Sequence, residues 1–147
     1  VLTKFSLDQE KQSIMGHSMG GLGALNIAIR NPEIYKTVSA FAPIANPTKG
    51  IWGQKQFEAY LGKETENWKK YDPSILLNEQ GYKGKILIDQ GTKDDFLKNL
   101  MPEALEKIFN NRNNGDQLRY QKDYDHSYFF VSSFLRDHVL WHKDNVK

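Results

Sequence analysis

The chain has no cysteine among its 147 residues. That absence excludes a disulfide framework, a thiolate metal centre and a cysteine nucleophile, and it is compatible with an intracellular setting. No run of about 20 apolar residues occurs, so no membrane-spanning helix and no membrane partner are expected. An excess of one charge is missing too. The 20 basic and 18 acidic residues leave a formal net charge of +2, and the lysines are scattered, which argues against nucleic acid as the partner. There is no internal repeat and no low-complexity tract. What remains, 39% hydrophobic and 26% charged residues, is the balance of one ordinary globular domain or a large part of one. The chain opens on Val1 rather than methionine, as a processed chain or a fragment would.

Turn residues punctuate the chain at intervals suited to alternating strands and helices. The spacing predicts a buried strand over Lys11 to Gly16 and a helix over Gly20 to Arg30, where Leu22, Leu25 and Ile29 share a face and Pro32 supplies the stop. A second buried strand is expected over Tyr35 to Pro43. The polar stretch from Asn46 to Lys83 reads as an excursion, weakly helical over Gln54 to Gly62. Beyond it come a strand at Lys85 to Gly91, a helix at Met101 to Gly115, a strand at Gln117 to Tyr124 and a final helix at Ser127 to Lys143. The order β-α-β-(excursion)-β-α-β-α predicts a parallel sheet with helices on both faces.

Gly16-His17-Ser18-Met19-Gly20 falls at the first strand-to-helix junction. This is the pattern in which a serine on a tight turn is pushed out above a sheet. Gly16 and Gly20 are both expected to be required sterically, since a Cβ on so sharp a turn meets neighbouring backbone. The Met19 backbone N–H, at the positive end of the helix, is placed to stabilise an oxyanion, a role worth about 100- to 1,000-fold in rate. A phosphate loop would carry Gly-Lys-Ser/Thr, and none is present.

A serine is a weak nucleophile until a base takes its proton, and that base needs a carboxylate to hold it. Four histidines are available. His17 adjoins Ser18 on a turn that sends neighbouring side chains apart, so it is expected to be structural or pocket-lining. His138 and His142 lie four apart on the last helix but lack the glutamate of His-Glu-x-x-His, having Val139 instead. No metal is expected there, and a solvated helix face is. His126, between the last strand and the last helix, lies where parallel sheets build their sites and is the expected base. For the acid, the stretch KILIDQGTKDDFL offers Asp89 within a strand and Asp94 and Asp95 in the loop after it. The chain order serine, acid, histidine is that of α/β-hydrolases.

Five blocks in the same order, SIMGHSMGGLGAL, YKTVSAFAPIANP, WGQKQFEAYLG, ILIDQGTKDDFL and YDHSYFFVSSFLRDH, resemble the S-formylglutathione hydrolase (esterase D) family over nearly the whole chain. The resemblance implies an α/β-hydrolase fold without metal or cofactor. It implies a cytoplasmic thioesterase that splits S-formylglutathione into glutathione and formate, with side activity on small carboxyl esters. The family's nucleophile falls on Ser18, its histidine on His126, its acid on Asp94, and its oxyanion amide on Met19. Asp95 is then a neighbour. The expected partner is the small-molecule thioester, and a homodimer is compatible with the reading. The aromatics Trp52, Phe57 and Tyr60 are candidates for the pocket, with packing the favoured role for each. The alternatives are another acyl esterase of this fold or an inactive truncated fragment.

Two departures stand out. Asp123 occupies a position where the family commonly has glycine, which predicts an extra negative charge near the base. The run Ile44-Ala45-Asn46-Pro47 lacks a thiol sometimes found there. Family members also carry an N-terminal half that supplies the first strands, the other oxyanion donor and one pocket wall. The 147 residues are therefore expected to form a single partial α/β-hydrolase domain lacking those strands, a fragment of a longer enzyme that folds poorly or inactively alone.

Overall fold

The computed structural model describes residues 2–5 and 7–147. After a short turn of helix, α1 (Leu2–Phe5), the chain alternates between sheet and helix: β1 (Gln12–His17), α2 (Met19–Arg30), β2 (Tyr35–Phe41), β3 (Lys85–Gly91), α7 (Glu103–Arg112), β4 (Gln117–Gln121) and α8 (Tyr128–Asn145). Between β2 and β3 lie α3 (Ile51–Leu61), α4 (Thr65–Lys69) and α5 (Pro73–Glu79), and α6 (Leu97–Leu100) precedes α7. The four strands form one parallel sheet in the order β1-β2-β3-β4. Each crossover is long enough for a helix, as parallel neighbours require.

Strand alternation sends the sheet's side chains into two different environments. Val38, Ala40, Ile86 and Ile88 face a dry core with Ala24, Leu25, Ala28 and Ile29 of α2, Leu76 and Leu77 of α5, and Leu105 and Phe109 of α7. Thr37, Ser39, Phe41 and Asp89 alternate with them along β2 and β3. These residues meet His138 and His142 of α8. His138 is fully buried, with its ring stacked on Phe41 at 3.8 Å and Nε2 lying 3.4 Å from Asp89 Oδ2. His142 is 6% exposed and bridges two hydroxyls, Thr37 Oγ1 at Nδ1 (2.7 Å) and Ser39 Oγ at Nε2 (2.8 Å). The expected solvated histidine face of the last helix is therefore the face that docks on the sheet. A neutral imidazole satisfies one hydroxyl donor and one hydroxyl acceptor, which makes its burial between two β-branched or small polar residues tolerable.

This burial has a pH consequence. Desolvation, with a smaller contribution from His138, pushes His142 from 6.5 down to about 4. Over that interval the unfolded chain binds a proton that the folded chain refuses, so stability is full above pH 6.5 and falls as pH drops toward 4. The loss amounts to about 3 kcal/mol over the whole interval. Asp89 and Asp94, whose pKa values are held below 3.8, add their own loss only below that range. Urea midpoints measured between pH 7.5 and 4.5 should fall in the native chain and fall less in His142→Gln, which retains a donor and an acceptor for the two hydroxyls. Identical slopes in the two proteins would assign the acid loss to other groups.

β1 lies at the edge of the sheet formed by the described residues, as expected of a chain lacking the strands that would precede it, and its exposures alternate between partial and open, with Met15 38% exposed. One further expectation is corrected, since the excursion is more helical than its polarity suggests. Asp72 caps α5 through Ser74 and Ile75 N–H, takes the Ser74 hydroxyl, and ties back residue Thr48 through its N–H and hydroxyl. The sequence Asp72-Pro73-Ser74 carries that signal, a capping side chain followed by proline at the first helical position.

Candidate active site

Ser18, Asp94 and His126 follow the carboxyl ends of β1, β3 and β4, the end at which parallel sheets place their sites. Ser18 sits at φ 56° and ψ −117°, a backbone region that non-glycine residues adopt only where surrounding structure holds them. Its N–H is anchored on the Phe41 carbonyl at 2.9 Å, and its own carbonyl accepts the first α2 bond, from Leu22 at 3.0 Å. Gly16 makes the turn passable, since a Cβ there would lie 2.1 Å from the Gly20 carbonyl oxygen. Gly20 itself has open space where its Cβ would stand, so the expected steric role for both flanking glycines holds at Gly16 only. The second tight position is Gly21, whose Cβ would come 3.0 Å from that of Pro43. Met19 is the first residue of α2, where amides have no acceptor within the helix.

The loops bearing Asp94 and His126 are laced together. Thr92 N–H donates to Gln121 O at 3.0 Å and Lys93 N–H to Tyr124 O at 2.9 Å. Gly91 allows this approach, because a Cβ there would stand 2.4 Å from the Tyr124 carbonyl oxygen. The result is a 2.7 Å hydrogen bond between His126 Nδ1 and Asp94 Oδ2. Asp94 also accepts from Gln90 Nε2 (2.9 Å, Oδ2) and from the Phe96 N–H (2.8 Å, Oδ1). Burial alone would raise the Asp94 pKa, but bonds from His126, the Phe96 amide and Gln90 outweigh it and hold the carboxyl below its ordinary value. The acid is thus ionised at neutral pH and saturated with donors.

The other two aspartates are elsewhere. Asp95 is exposed. Asp89 is fully buried and engaged by Arg119 through Nε and a terminal nitrogen, by Gln121 Nε2 at 3.1 Å and by His138. Asp123 is exposed, and its carboxylate is matched by Lys93 Nζ at 3.0 Å. That pairing answers the charge expected to act on the base. Its φ of 65° explains why glycine suits the position.

His17 extends from β1 with its ring centroid 4.6 Å from that of His126 and 5.7 Å from that of Tyr128. Burial first, then the His126 charge, lowers its pKa, with Asp94 opposing. Phe96 lies edge-on to His126 at 5.1 Å, and Trp52 packs on Phe96 at 4.7 Å. Trp52 therefore reaches the site through Phe96 rather than by touching the histidine. Phe57 packs into the core against Trp68, as expected, whereas Tyr60 is 84% exposed and packs little. Phe96 and Gln90 lie outside the sequence motifs that mark the site. Gln90 carried a signal, a polar residue in an apolar strand four positions before Asp94. Phe96 carried none that distinguishes it from core aromatics. Among the described residues Ser18 Oγ and His126 are not hydrogen-bonded to each other, and no cluster of metal-ligating residues occurs.

A serine on a strained strand-to-helix turn, above a parallel sheet that also presents an aspartate-bound imidazole, is the arrangement of the α/β-hydrolase fold. Residues 1–140 match the Esterase family model, and the chain belongs to that family. It is 53% identical over 146 residues to the S-formylglutathione hydrolase of Paracoccus denitrificans, covering 99% of this chain and 52% of that protein. The structure of an S-formylglutathione hydrolase from Agrobacterium tumefaciens superposes with a TM-score of 0.90 at 41% identity, covering 99% of this chain and 53% of that one. The Staphylococcus aureus fluorophosphonate-binding serine hydrolase F shares the fold at 21% identity and a TM-score of 0.77, with 95% and 58% covered. The chain spans about half the length of the S-formylglutathione hydrolases it matches.

Proposed function

We propose that this chain carries the catalytic triad of a serine thioesterase that hydrolyses S-formylglutathione, with Ser18 as nucleophile, His126 as base and Asp94 as its orienting acid. The observation that carries the reading is the 2.7 Å Asp94–His126 pair, which commits Nδ1 and leaves Nε2 for the serine proton. Nε2 takes that proton as Ser18 Oγ attacks the formyl carbon. The tetrahedral oxyanion is received by the Met19 amide, and its collapse expels glutathione thiolate, which His126 protonates. Water, deprotonated by the same nitrogen, then attacks the formyl ester and releases formate and free Ser18. The Ser18–His126 bond forms as substrate closes the site, since such contacts are often long without ligand.

The identity to S-formylglutathione hydrolases supports the acyl group and thiol proposed here. A formyl group has no side chain, so the residues near Ser18 need only a small acyl pocket, with Trp52 and His17 as its proposed wall. Small carboxyl esters follow as side substrates. No helix among the described residues is long and apolar enough to cross a membrane, which fits the proposed cytoplasmic setting. A homodimer is compatible with the proposal.

Comparing kcat/KM for S-formylglutathione, p-nitrophenyl acetate and longer p-nitrophenyl esters tests the substrate. The thioester should be preferred, with activity falling as the acyl chain lengthens. A preference for long or aromatic acyl groups would replace this reading with that of another acyl esterase of the fold.

A further inference from the structure

The His126 imidazole is held at more points than its bond to Asp94. A single hydrogen bond at Nδ1 leaves a ring free to swing about that axis, and a swing of Nε2 by an ångström is enough to spoil proton transfer. Two other rings touch it. His17 comes from the end of β1 at 4.6 Å, tilted 41°, and Phe96 comes from the β3–α6 loop at 5.1 Å, nearly perpendicular at 81°. Phe96 also donates its N–H to the far oxygen of Asp94 at 2.8 Å, so one residue steadies both partners of the pair. His17 is fixed in turn, because it is the last residue of β1 in register with Phe41 and is followed directly by the strained Ser18.

We propose that His17 is a positioning residue for His126, its ring acting with that of Phe96 to hold the imidazole with Nδ1 on Asp94 and Nε2 turned to the serine. The proposal rests on the reading of His126 as the base and adds to it the device that fixes its orientation. His17 Nε2 is buried with no hydrogen-bond partner, and the ring faces the His126 backbone as well as its imidazole, so what it supplies to the base is close contact. Its neutrality serves the same end. The titratable groups facing it are His126, Asp94 and, from α8, Tyr128. Burial and His126 keep it uncharged when His126 gains its proton, so the two rings remain in contact without repulsion.

The test compares His17→Phe, His17→Ala and Phe96→Leu with the native protein. The readouts are kcat and KM for p-nitrophenyl acetate, the rate of Ser18 labelling by a fluorophosphonate, and the low-field proton resonance of the His126 Nδ1–H. In His17→Ala, kcat and labelling should fall by about 10- to 100-fold, a larger change than any in KM, and the resonance should broaden or vanish. His17→Phe, which keeps a ring against His126, should restore most of the rate and the resonance. Phe96→Leu, which keeps the backbone bond to Asp94, should show the alanine pattern more weakly, and it carries the test if His17→Ala does not fold. The proposal is overturned if His17→Ala retains native kcat and a sharp resonance, if only KM changes, or if His17→Phe is as impaired as His17→Ala. A protein that labels yet rejects S-formylglutathione would sink the substrate assignment alone, because these readouts report on His126 whatever the acyl group.

Discussion

Replacing Ser18 with alanine should abolish both fluorophosphonate labelling and turnover, a loss of up to about a million-fold in kcat. The size follows from the chemistry. Without Oγ no acyl-enzyme forms, and what survives is the contribution of the Met19 amide and substrate binding to direct attack by water. The fold should tolerate the change, because Ser18 holds its place through backbone bonds to Phe41 and Leu22 rather than through its hydroxyl. Alanine at φ 56° is no less strained than serine. An unchanged urea midpoint with lost labelling is the expected pair of results. Persistent turnover in Ser18→Ala would remove the nucleophile from the mechanism.

Asp94→Asn should lower kcat by about 10,000-fold. The asparagine is nearly isosteric but meets a site built for an acceptor. Gln90 Nε2, the Phe96 N–H and His126 Nδ1 all point at the carboxylate, so an amide NH₂ must face at least one donor. The cheapest relief is for His126 to change tautomer, which puts its proton on Nε2 and disables the base. Asp95→Asn, at an exposed position one residue on, should leave kcat within about two-fold, as surface changes away from such networks do. Comparable losses in the two variants would show that the loop, rather than the Asp94 carboxylate, is what matters. The same donors keep Asp94 ionised well into acid, so its loss by protonation is expected only below the ordinary carboxylate range.

Much of the fold was legible because its signals are local. The apolar spacing of Leu22, Leu25 and Ile29 marks α2 without reference to anything distant, and KILIDQG marks β3 to the residue. The excursion is less legible, since the helicity of α3, α4 and α5 rests on packing and on the Asp72 cap rather than on apolar periodicity. His138 and His142 are not legible as core residues for a related reason. A histidine four residues from another on a helix looks solvated until a facing strand supplies Thr37 and Ser39 for one and Phe41 for the other. Gly20 shows the reverse, a motif glycine whose pattern implies a close approach that Gly16 and Gly21 make at this turn instead.

By itself the sequence determined the alternation of strands and helices, the parallel sheet that alternation requires, and the serine at a strand-to-helix turn, because each depends on residues within one turn or one strand of each other. Only the tertiary structure decided that Asp94 and His126 close to 2.7 Å, that His17 and Phe96 press on the imidazole, and that His138 and His142 dock on the sheet. Those depend on chain segments some 30 residues and more apart brought together, where the outcome turns on ångström-scale approach that no local pattern encodes.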